Sequence, residues 1–570
     1  MKITVPGSKS ITNRAILAAG LAAGHSVLEN ALVSDDTRYM KNALTKLGVK
    51  MAERKNELHL YGGSWKKSRT PLFCGNAGTA VRFLAAVLAS QPFASIITGD
   101  SRMCERPIQD LTQALIQLGA TVKFLKKRGF PPVKICGPLK GGRCEIKGTV
   151  SSQFLSGLLF AAPLAEKDVT IVIKGDLVSK PYLETTLAVL KNFGIQVRRK
   201  GYAQFSVKAG QRYLPTTMAV EGDASAAGYF WAISGLTGEK IEVTNVAKNS
   251  RQADAEFLRT LKKLSPTING QNFPDAAMTL AVFLAFQKGK FHLTGLANLR
   301  VKECDRLKAL TTELSRIGCR VEELRDGLRI WGDPKKLHSA RIKTYGDHRM
   351  AMSFAVAGFV LPGLRIQNPG CVTKTYPHFW KDIRALKKAF QQKNVVLTGM
   401  RGSGKSELGA ALGRRLGRRF IDLDEVVEKI AKKPVAAIVA AQGWPAFRAM
   451  ERKAVKKIAA EHGIIVATGG GTIMDHENAN LLKKNGTIIY LSASLPSLKK
   501  RLAKKTDRPS LSGNKHFLAE LSDVLKKRQP MYAKMADKIV EVSYHTPHKK
   551  RDLQRKTDEL VAAMATLGLL

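Results

Sequence analysis

The stretch VVLTGMRGSGKSELGAALG, Val395 to Gly413, constrains this chain more than any other. An apolar strand runs into a glycine-rich loop with one lysine, and the loop runs into a helix. Gly399 to Ser406 fits G-x-x-x-x-G-K-[ST], and strand before with helix after is the context that pattern needs. Backbone N–H groups of such a loop cradle phosphates, the Lys405 ammonium reaches the β/γ oxygens, and the Ser406 hydroxyl can hold Mg²⁺. The loop begins almost 400 residues into a chain of 570, so something larger precedes it.

At this length roughly three domains are expected. A composition of 44% hydrophobic and 24% charged residues is globular rather than disordered. The longest apolar runs, such as AAMTLAVFLAF and AMSFAVAGFV, are core-sized, so no membrane span is expected. MKITVPGSKS carries neither an apolar signal region nor an Arg/Ser-rich transit pattern, and a cytoplasmic location is the expectation. Seven cysteines with no CxxC pair, none after Cys371, argue against a zinc site or a disulfide framework.

The net charge of +47 is spread along the chain: residues 391–570 hold 34 Lys and Arg against 17 Asp and Glu, and the larger remainder precedes them. No aromatic-interleaved basic motif, zinc finger or DNA-reading helix accompanies it, which argues against a nucleic-acid partner. Basic clefts also concentrate small anionic substrates.

The first 390 residues repeat themselves. A helix-like segment ends in an apolar residue plus glycine; a strand, a turn and a second strand closed by glycine follow. The copies are LGVKM…ELHLYGG from Leu47, LGATVKF…VKICG from Leu118, FGIQVRR…FSVKAG from Phe193 and IGCRVEE…LRIWG from Ile317. Each internal glycine fits a position just past a helix end, where positive φ is needed. The last spacing, 124 residues against 71 and 75, leaves room for a degenerate copy near LKKLSPTING.

Between the copies lie unusual patches. PGSKSITNR puts Lys9, Ser10 and Arg14 at a turn entering a helix, and GNAGTAVRF brings Arg82 close to another helix start. GDSRMCERPI carries Arg102 and Arg106, and TVSSQFLSGLLFAAPLA offers Ser151, Ser152 and Gln153 as neutral donors. PDAAMTLA places Asp275 at a helix start, and NLRVKECDR clusters Lys302, Glu303, Asp305 and Arg306. TYGDHRMAM gives Asp347, His348 and Arg349, and CVTKTYP gives Lys374. Any one patch alone is equally a capped helix or a surface ion pair. Together they describe a site rich in guanidinium and ammonium with two isolated carboxylates, suited to substrates bearing phosphates and carboxylates. Asp275 and Glu303 are then available for proton transfer.

In that order the patches resemble 5-enolpyruvylshikimate-3-phosphate (EPSP) synthase over essentially all of residues 1–388. The resemblance implies an α/β fold of two lobes built from repeated units, a lower lobe of residues 1–8 and 223–388 and an upper lobe of 9–222. It implies a shikimate 3-phosphate site of Lys9, Ser10, Arg14, Ser151, Ser152, Gln153, Ser179, Asp275, Asn298 and Lys302. It implies a phosphoenolpyruvate site of Lys9, Gly78, Arg102, Gln153, Arg306, Arg349 and Lys374. Asp275 is the implied proton acceptor, Glu303 the implied donor and Lys302 a further catalytic group, with no cofactor. Many family members have proline where this chain has Phe83. The related UDP-N-acetylglucosamine enolpyruvyl transferases generally carry a reactive cysteine where this chain has Ser101, and the Ser-Ser-Gln segment belongs to the shikimate branch.

Behind the phosphate loop, RRFIDLDEVVEKI places Asp422 and Asp424 at a strand end, and WPAFRAMER puts Arg448 and Glu451 on one helix face. VATGGGTI runs a strand into Gly469 to Gly471, KTDRPSLSG gives Arg508, and LKKRQPMY gives Arg528. This set resembles shikimate kinase over residues 391–570, with gluconate-type kinases sharing the loop. The resemblance implies a P-loop kinase fold with a parallel sheet and a mobile lid, with ATP as co-substrate. Gly402, Ser403, Gly404, Lys405, Ser406, Glu407 and Arg508 would hold ATP, and Ser406 and Asp422 would hold Mg²⁺. Asp424, Arg448, Gly470, Gly471 and Arg528 would hold shikimate, with Asp424 catalytic. The expectation is a bifunctional enzyme whose second domain makes the substrate of its first.

Overall fold

A computed structural model describes residues 1–503, 517–542 and 549–570. The chain divides into two compact units, Met1–Trp380 and Lys381–Leu570.

In the first unit, the four in-register glycines are the ends of four helices. Gly48, Gly119, Gly194 and Gly318 have φ of 97°, 98°, 81° and 89°. After each, the next residue's N–H returns to a carbonyl five residues back: Val49 to Leu44, Ala120 to Leu115, Ile195 to Leu190 and Cys319 to Leu314, at 2.9–3.0 Å. This is the glycine-terminated Schellman turn, and it sets the strand that follows on its course.

Four four-stranded sheets result, all with the same topology among the described residues. In one, Leu72–Phe73 runs parallel to Ser95–Thr98, which pairs antiparallel with Val133–Cys136, which pairs antiparallel with Thr121–Phe124. The sheets containing Val169–Lys174 and Gly289–Thr294 repeat this pattern. The sheet containing Gly24–Glu29 borrows its parallel partner, Thr217–Ala219, from far along the chain. Two further parallel pairs, Lys2–Ile3 with Glu242–Val243 and Arg341–Ile342 with Arg365–Ile366, are reduced copies. After Glu242–Val243 the helix Glu256–Lys262 leads directly into Thr267–Asn269, the first strand of the next sheet. The sought copy near LKKLSPTING is therefore a helix without its hairpin.

One contiguous apolar core runs from Ile11 to Val220. The helices Gly78–Leu88 and Ala277–Ala285 are buried along their whole length, and Ser152–Ala161 at nine of its ten residues. Helices apolar all round are interior elements, and the few polar side chains of these three, Arg82 and Ser156 among them, lie in their N-terminal halves.

In the second unit a five-stranded, all-parallel sheet has the order Phe420–Asp422, Ile465–Ala467, Asn394–Thr398, Gly486–Ser492, Lys538–Glu541. The phosphate-loop strand is central and buried at all five residues. Val396 faces one apolar cluster while Val395 and Leu397 face the other, as period-two alternation requires of a strand covered on both sides. Ligand crevices of such sheets lie beyond the strand carboxyl ends.

Candidate active sites

Helix starts supply most of the first site. Lys9 and Ser10 open Lys9–Leu21, Gly78 and Thr79 open Gly78–Leu88, and Ser151 caps Ser152–Ala161 by accepting the Gln153 N–H at 3.3 Å. Ser179, at φ 57°, precedes Lys180–Asn192; Arg306 and Arg349 lie in the first turns of Arg306–Arg316 and His348–Val360. Helix N-termini present unpaired N–H groups and partial positive charge, which favours anions.

All ten residues expected for shikimate 3-phosphate line a single cavity, joined by Thr79 and Tyr182. Its wall holds one orphan, the buried Asn298 Oδ1. Arg14 is committed inward: Nε donates to Thr186 Oγ1 at 2.7 Å, Nη1 to the Ser10 carbonyl at 2.8 Å and Nη2 to the Tyr182 carbonyl at 3.2 Å. Its guanidinium stacks 5.0 Å from the ring of Phe83, which is fully buried. Burial pushes Arg14 down to about 10.

Beside this cavity lies a dense ion cluster. Asp275 is gripped by Arg349 (Nη2 to Oδ2, 2.7 Å) and Arg306 (Nη1 to Oδ1, 3.1 Å). Arg306 also donates to Asp347 at 2.7 Å and to Glu303 at 2.9 Å, and Glu303 accepts Lys374 Nζ at 2.9 Å. Burial alone would raise both carboxyls, but the cations overrule it. Asp275, under Arg349 and Arg306, and Glu303, under Lys374 and Arg306, stay ionised well below the ordinary range. Burial pushes Lys302 down to about 8 and, with Arg106 beside it, Arg82 to about 9. It also keeps His348 neutral.

Arg82 donates to Gln153 Oε1 at 2.5 Å, and Arg106 donates to Asn76 Oδ1 at 2.8 Å. Gly78 makes room for both: a Cβ there would stand 2.7 Å from Arg106 Nη2 and 3.1 Å from Arg82 Nη1. Arg102 is held at the carbonyls of Lys302 (2.9 Å) and Glu303 (3.2 Å) and at Glu105. Tyr182, Asn76 and Asp254 escaped the sequence reading. Only Tyr182 left a signal there, since it follows Ser179 by three residues on the same helix.

The second site is a cavity of about 340 Å³ beyond the sheet's carboxyl edge. Gly402 and Gly404 take φ of 86° and 90°, which shapes the loop. Lys405 Nζ donates to the carbonyls of Gly399 (2.9 Å) and Met400 (3.0 Å), and the buried Ser403 Oγ is unpartnered. Ser406 donates to Asp422, whose other oxygen caps the Asp424 N–H at 3.0 Å. Asp424 is raised by burial first and by Asp422 second, against Lys405. Arg448 pairs with the buried Glu451 at 2.5 Å and lies over Trp444 and Phe447; Glu451 also accepts Thr472 Oγ1 at 2.6 Å. Arg528 Nη1 donates to the Gly470 carbonyl at 2.9 Å, and Arg501 pairs with Glu407 at 2.6 Å. Gly402 to Glu407 contribute five cavity-lining residues, with Ser403 beneath them. Arg508 lies outside the described residues. No described helix is long and apolar enough to cross a membrane.

Residues 1–273 and 267–383 match the family model of EPSP synthase (3-phosphoshikimate 1-carboxyvinyltransferase), and residues 401–564 match that of shikimate kinase. The 3-phosphoshikimate 1-carboxyvinyltransferase of Proteus mirabilis is 43% identical over 412 residues, 68% of this chain and 96% of the relative. That of Escherichia coli O1:K1 is 44% identical over 406 residues, 67% of this chain and 95% of the relative. Among solved structures, EPSP synthase from Acinetobacter baumannii is similar at a TM-score of 0.58 and 26% identity, covering 68% of this chain and 95% of its own.

Proposed function

The chain belongs to the EPSP synthase family and carries a shikimate kinase domain behind it, and from that premise we propose how its residues divide the work. It is a bifunctional shikimate-pathway enzyme. The C-terminal domain phosphorylates shikimate with ATP, and the N-terminal domain transfers the enolpyruvyl group of phosphoenolpyruvate to the 5-hydroxyl of that product, releasing phosphate.

In the synthase, the ten-residue cavity holds shikimate 3-phosphate, and Gly78, Arg102, Arg306, Arg349 and Lys374, with Lys9 and Gln153, hold phosphoenolpyruvate. Asp275 takes the 5-hydroxyl proton as that oxygen attacks C2, and Glu303 delivers a proton to C3. The tetrahedral intermediate then expels phosphate, with loss of a C3 proton, to give the enolpyruvyl ether. Glu303, ionised among its cations, becomes a donor once bound anions draw off the field of Lys374 and Arg306. Lys302, near neutral in its affinity, shares the charge that develops on the 5-oxygen. Residues 1–8 with 223–388, and 9–222, act as two lobes, a division supported by a core contained within Ile11 to Val220.

In the kinase, the loop from Gly402 to Glu407 holds ATP, with Arg508 a further ATP-binding residue. Asp424 polarises the shikimate 3-hydroxyl, while Arg448, Arg528 and the backbone at Gly470 and Gly471 hold its carboxylate. Ser406 and Asp422 offer the hard oxygen donors magnesium takes. A magnesium ion there would neutralise charge on the transferring phosphoryl group. Dependence on ATP and phosphoenolpyruvate supports a cytoplasmic location.

The observation that carries the synthase reading is one carboxylate, Asp275, lining the cavity and held between two guanidiniums. Phosphate release from shikimate 3-phosphate and phosphoenolpyruvate, compared between wild type and Asp275→Asn, tests it. Wild-type turnover by the variant would refute Asp275 as the proton acceptor.

A further inference from the structure

Asp275 is placed to take a proton and poorly suited to keep one. Burial favours its neutral form, but Arg349, Arg306, Lys302 and Lys9 hold it ionised. A proton delivered there must leave before the next turnover. The phenol of Tyr182 offers the way out. It lies 3.3 Å from Asp275 Oδ2 and 3.2 Å from Asp254 Oδ2, within reach of both carboxylates.

Asp254 sits in the 3-10 turn Ala253–Ala255 and is 3% exposed. Its Oδ1 accepts the Ala276 N–H at 3.2 Å, and its Oδ2 accepts the Ser225 hydroxyl as well as the phenol. Ser225 and Gln252, both half-buried, border a small recess beside Asp254 that adjoins the substrate cavity at Lys9, Ser10 and Tyr182.

We propose that Tyr182 and Asp254 form the proton exit of the synthase site, an inference that rests on Asp275 being the acceptor. The proton on Asp275 passes to the Tyr182 oxygen as the Tyr182 hydroxyl proton passes to Asp254 Oδ2. One O–H bond breaks at the phenol as another forms, so the phenol ends neutral. The negative charge moves from Asp254 to Asp275, and Asp254 then releases its proton to water past Ser225.

The proton affinities run in the right direction. Asp254 is pushed up to about 6, by burial first and by Asp275 next, with Asp223 adding and Arg349 and the Ser225 hydroxyl opposing. Tyr182 also faces it, and Lys9 is among the residues that line the recess. Tyr182 itself is held well above its usual range, by burial first and then by Asp254 and Asp275. It therefore remains a phenol rather than a phenolate. Asp254 does not touch the reacting atoms; it is a positioning residue for the proton.

The test measures synthase turnover of the full-length chain from about pH 5 to pH 9 for wild type, Asp254→Asn, Tyr182→Phe, the double variant and Asp275→Asn. Kinase turnover and melting temperature report folding. For Asp254→Asn we expect kcat to fall at least about tenfold, with both KM values within about twofold of wild type. The limb of the pH profile near 6 should disappear, and the double variant should be no slower than the slower single one. Wild-type kcat and an intact limb in Asp254→Asn would overturn the relay, as would a loss confined to KM. If Asp254→Asn does not fold, Tyr182→Phe decides on kcat and the limb. An inactive Asp275→Asn beside wild-type Asp254→Asn and Tyr182→Phe overturns the relay alone. A fully active Asp275→Asn overturns the acceptor assignment and the relay with it.

Discussion

The Arg349 guanidinium donates to Asp275 Oδ2 at 2.7 Å, joining residues 74 positions apart at the starts of two neighbouring buried helices. Arg306 holds the other oxygen of the same carboxylate. The pair holds Asp275 well below the ordinary carboxylate range, so it is anionic, and ready to receive a proton, at neutral pH.

Replacing Asp275 with Asn keeps the shape and removes the base. Synthase kcat should fall by about 100-fold or more, the usual contribution of a positioned proton acceptor. Kinase turnover by the same preparation should not change. Product formation from supplied shikimate 3-phosphate, followed by phosphate release, reads this directly. A loss expressed only as a raised KM would make Asp275 a binding group instead.

Gly471 stands against Arg448, and a methyl group there would overlap Nη2. The atoms it meets are the far end of a flexible side chain, so the fold should absorb the change while the arginine shifts from its place beside Glu451. Gly471→Ala should raise the KM for shikimate about tenfold or more. The KM for ATP and the melting temperature should stay near wild type. Steady-state kinetics with each substrate varied in turn distinguishes this from a general loss of structure, which would lower the melting temperature.

Asp254 rises from an ordinary 3.8 to about 6 on folding, so the native chain binds that proton more tightly than the unfolded chain. Its contribution to stability is complete below about pH 4 and is lost as the pH climbs through about 6. The two affinities differ by about 3 kcal/mol. The stability of wild type relative to Asp254→Asn should therefore decline by up to about that much between about pH 4 and pH 7. Asp275 has the opposite sign, losing its contribution as pH falls, but it is held well below the ordinary carboxylate range and stays ionised across this window in both proteins. Denaturant melts across the range supply the test, and a flat difference would contradict the raised affinity.

The repeat was legible because its signal is local. Gly48, Gly119, Gly194 and Gly318 end helices with the same turn, and a hairpin follows each. Of the two reduced copies, one showed only as the long gap near LKKLSPTING, because Glu256–Lys262 runs on without the hairpin that carries the pattern, and the other showed not at all. The ten residues expected for shikimate 3-phosphate do converge on one cavity, drawn from segments spread between Lys9 and Lys302. Asp254 left no mark in QADAEF, where nothing distinguishes it from a surface acid. Its burial, and its approach to Tyr182, exist only once distant segments pack. Likewise, only the folded chain shows Phe83 beneath Arg14, or Arg102 spent on the carbonyls of Lys302 and Glu303.

One chain performs two consecutive steps at two separate sites. The most direct test is a single mass-spectrometric assay with shikimate, ATP, Mg²⁺ and phosphoenolpyruvate, run on wild type and on Lys405→Ala, with and without added shikimate 3-phosphate. Wild type should yield the enolpyruvyl product from shikimate, and Lys405→Ala should yield it only from supplied shikimate 3-phosphate. Wild type that stops at shikimate 3-phosphate, or that consumes shikimate 3-phosphate while leaving shikimate untouched, would contradict the account.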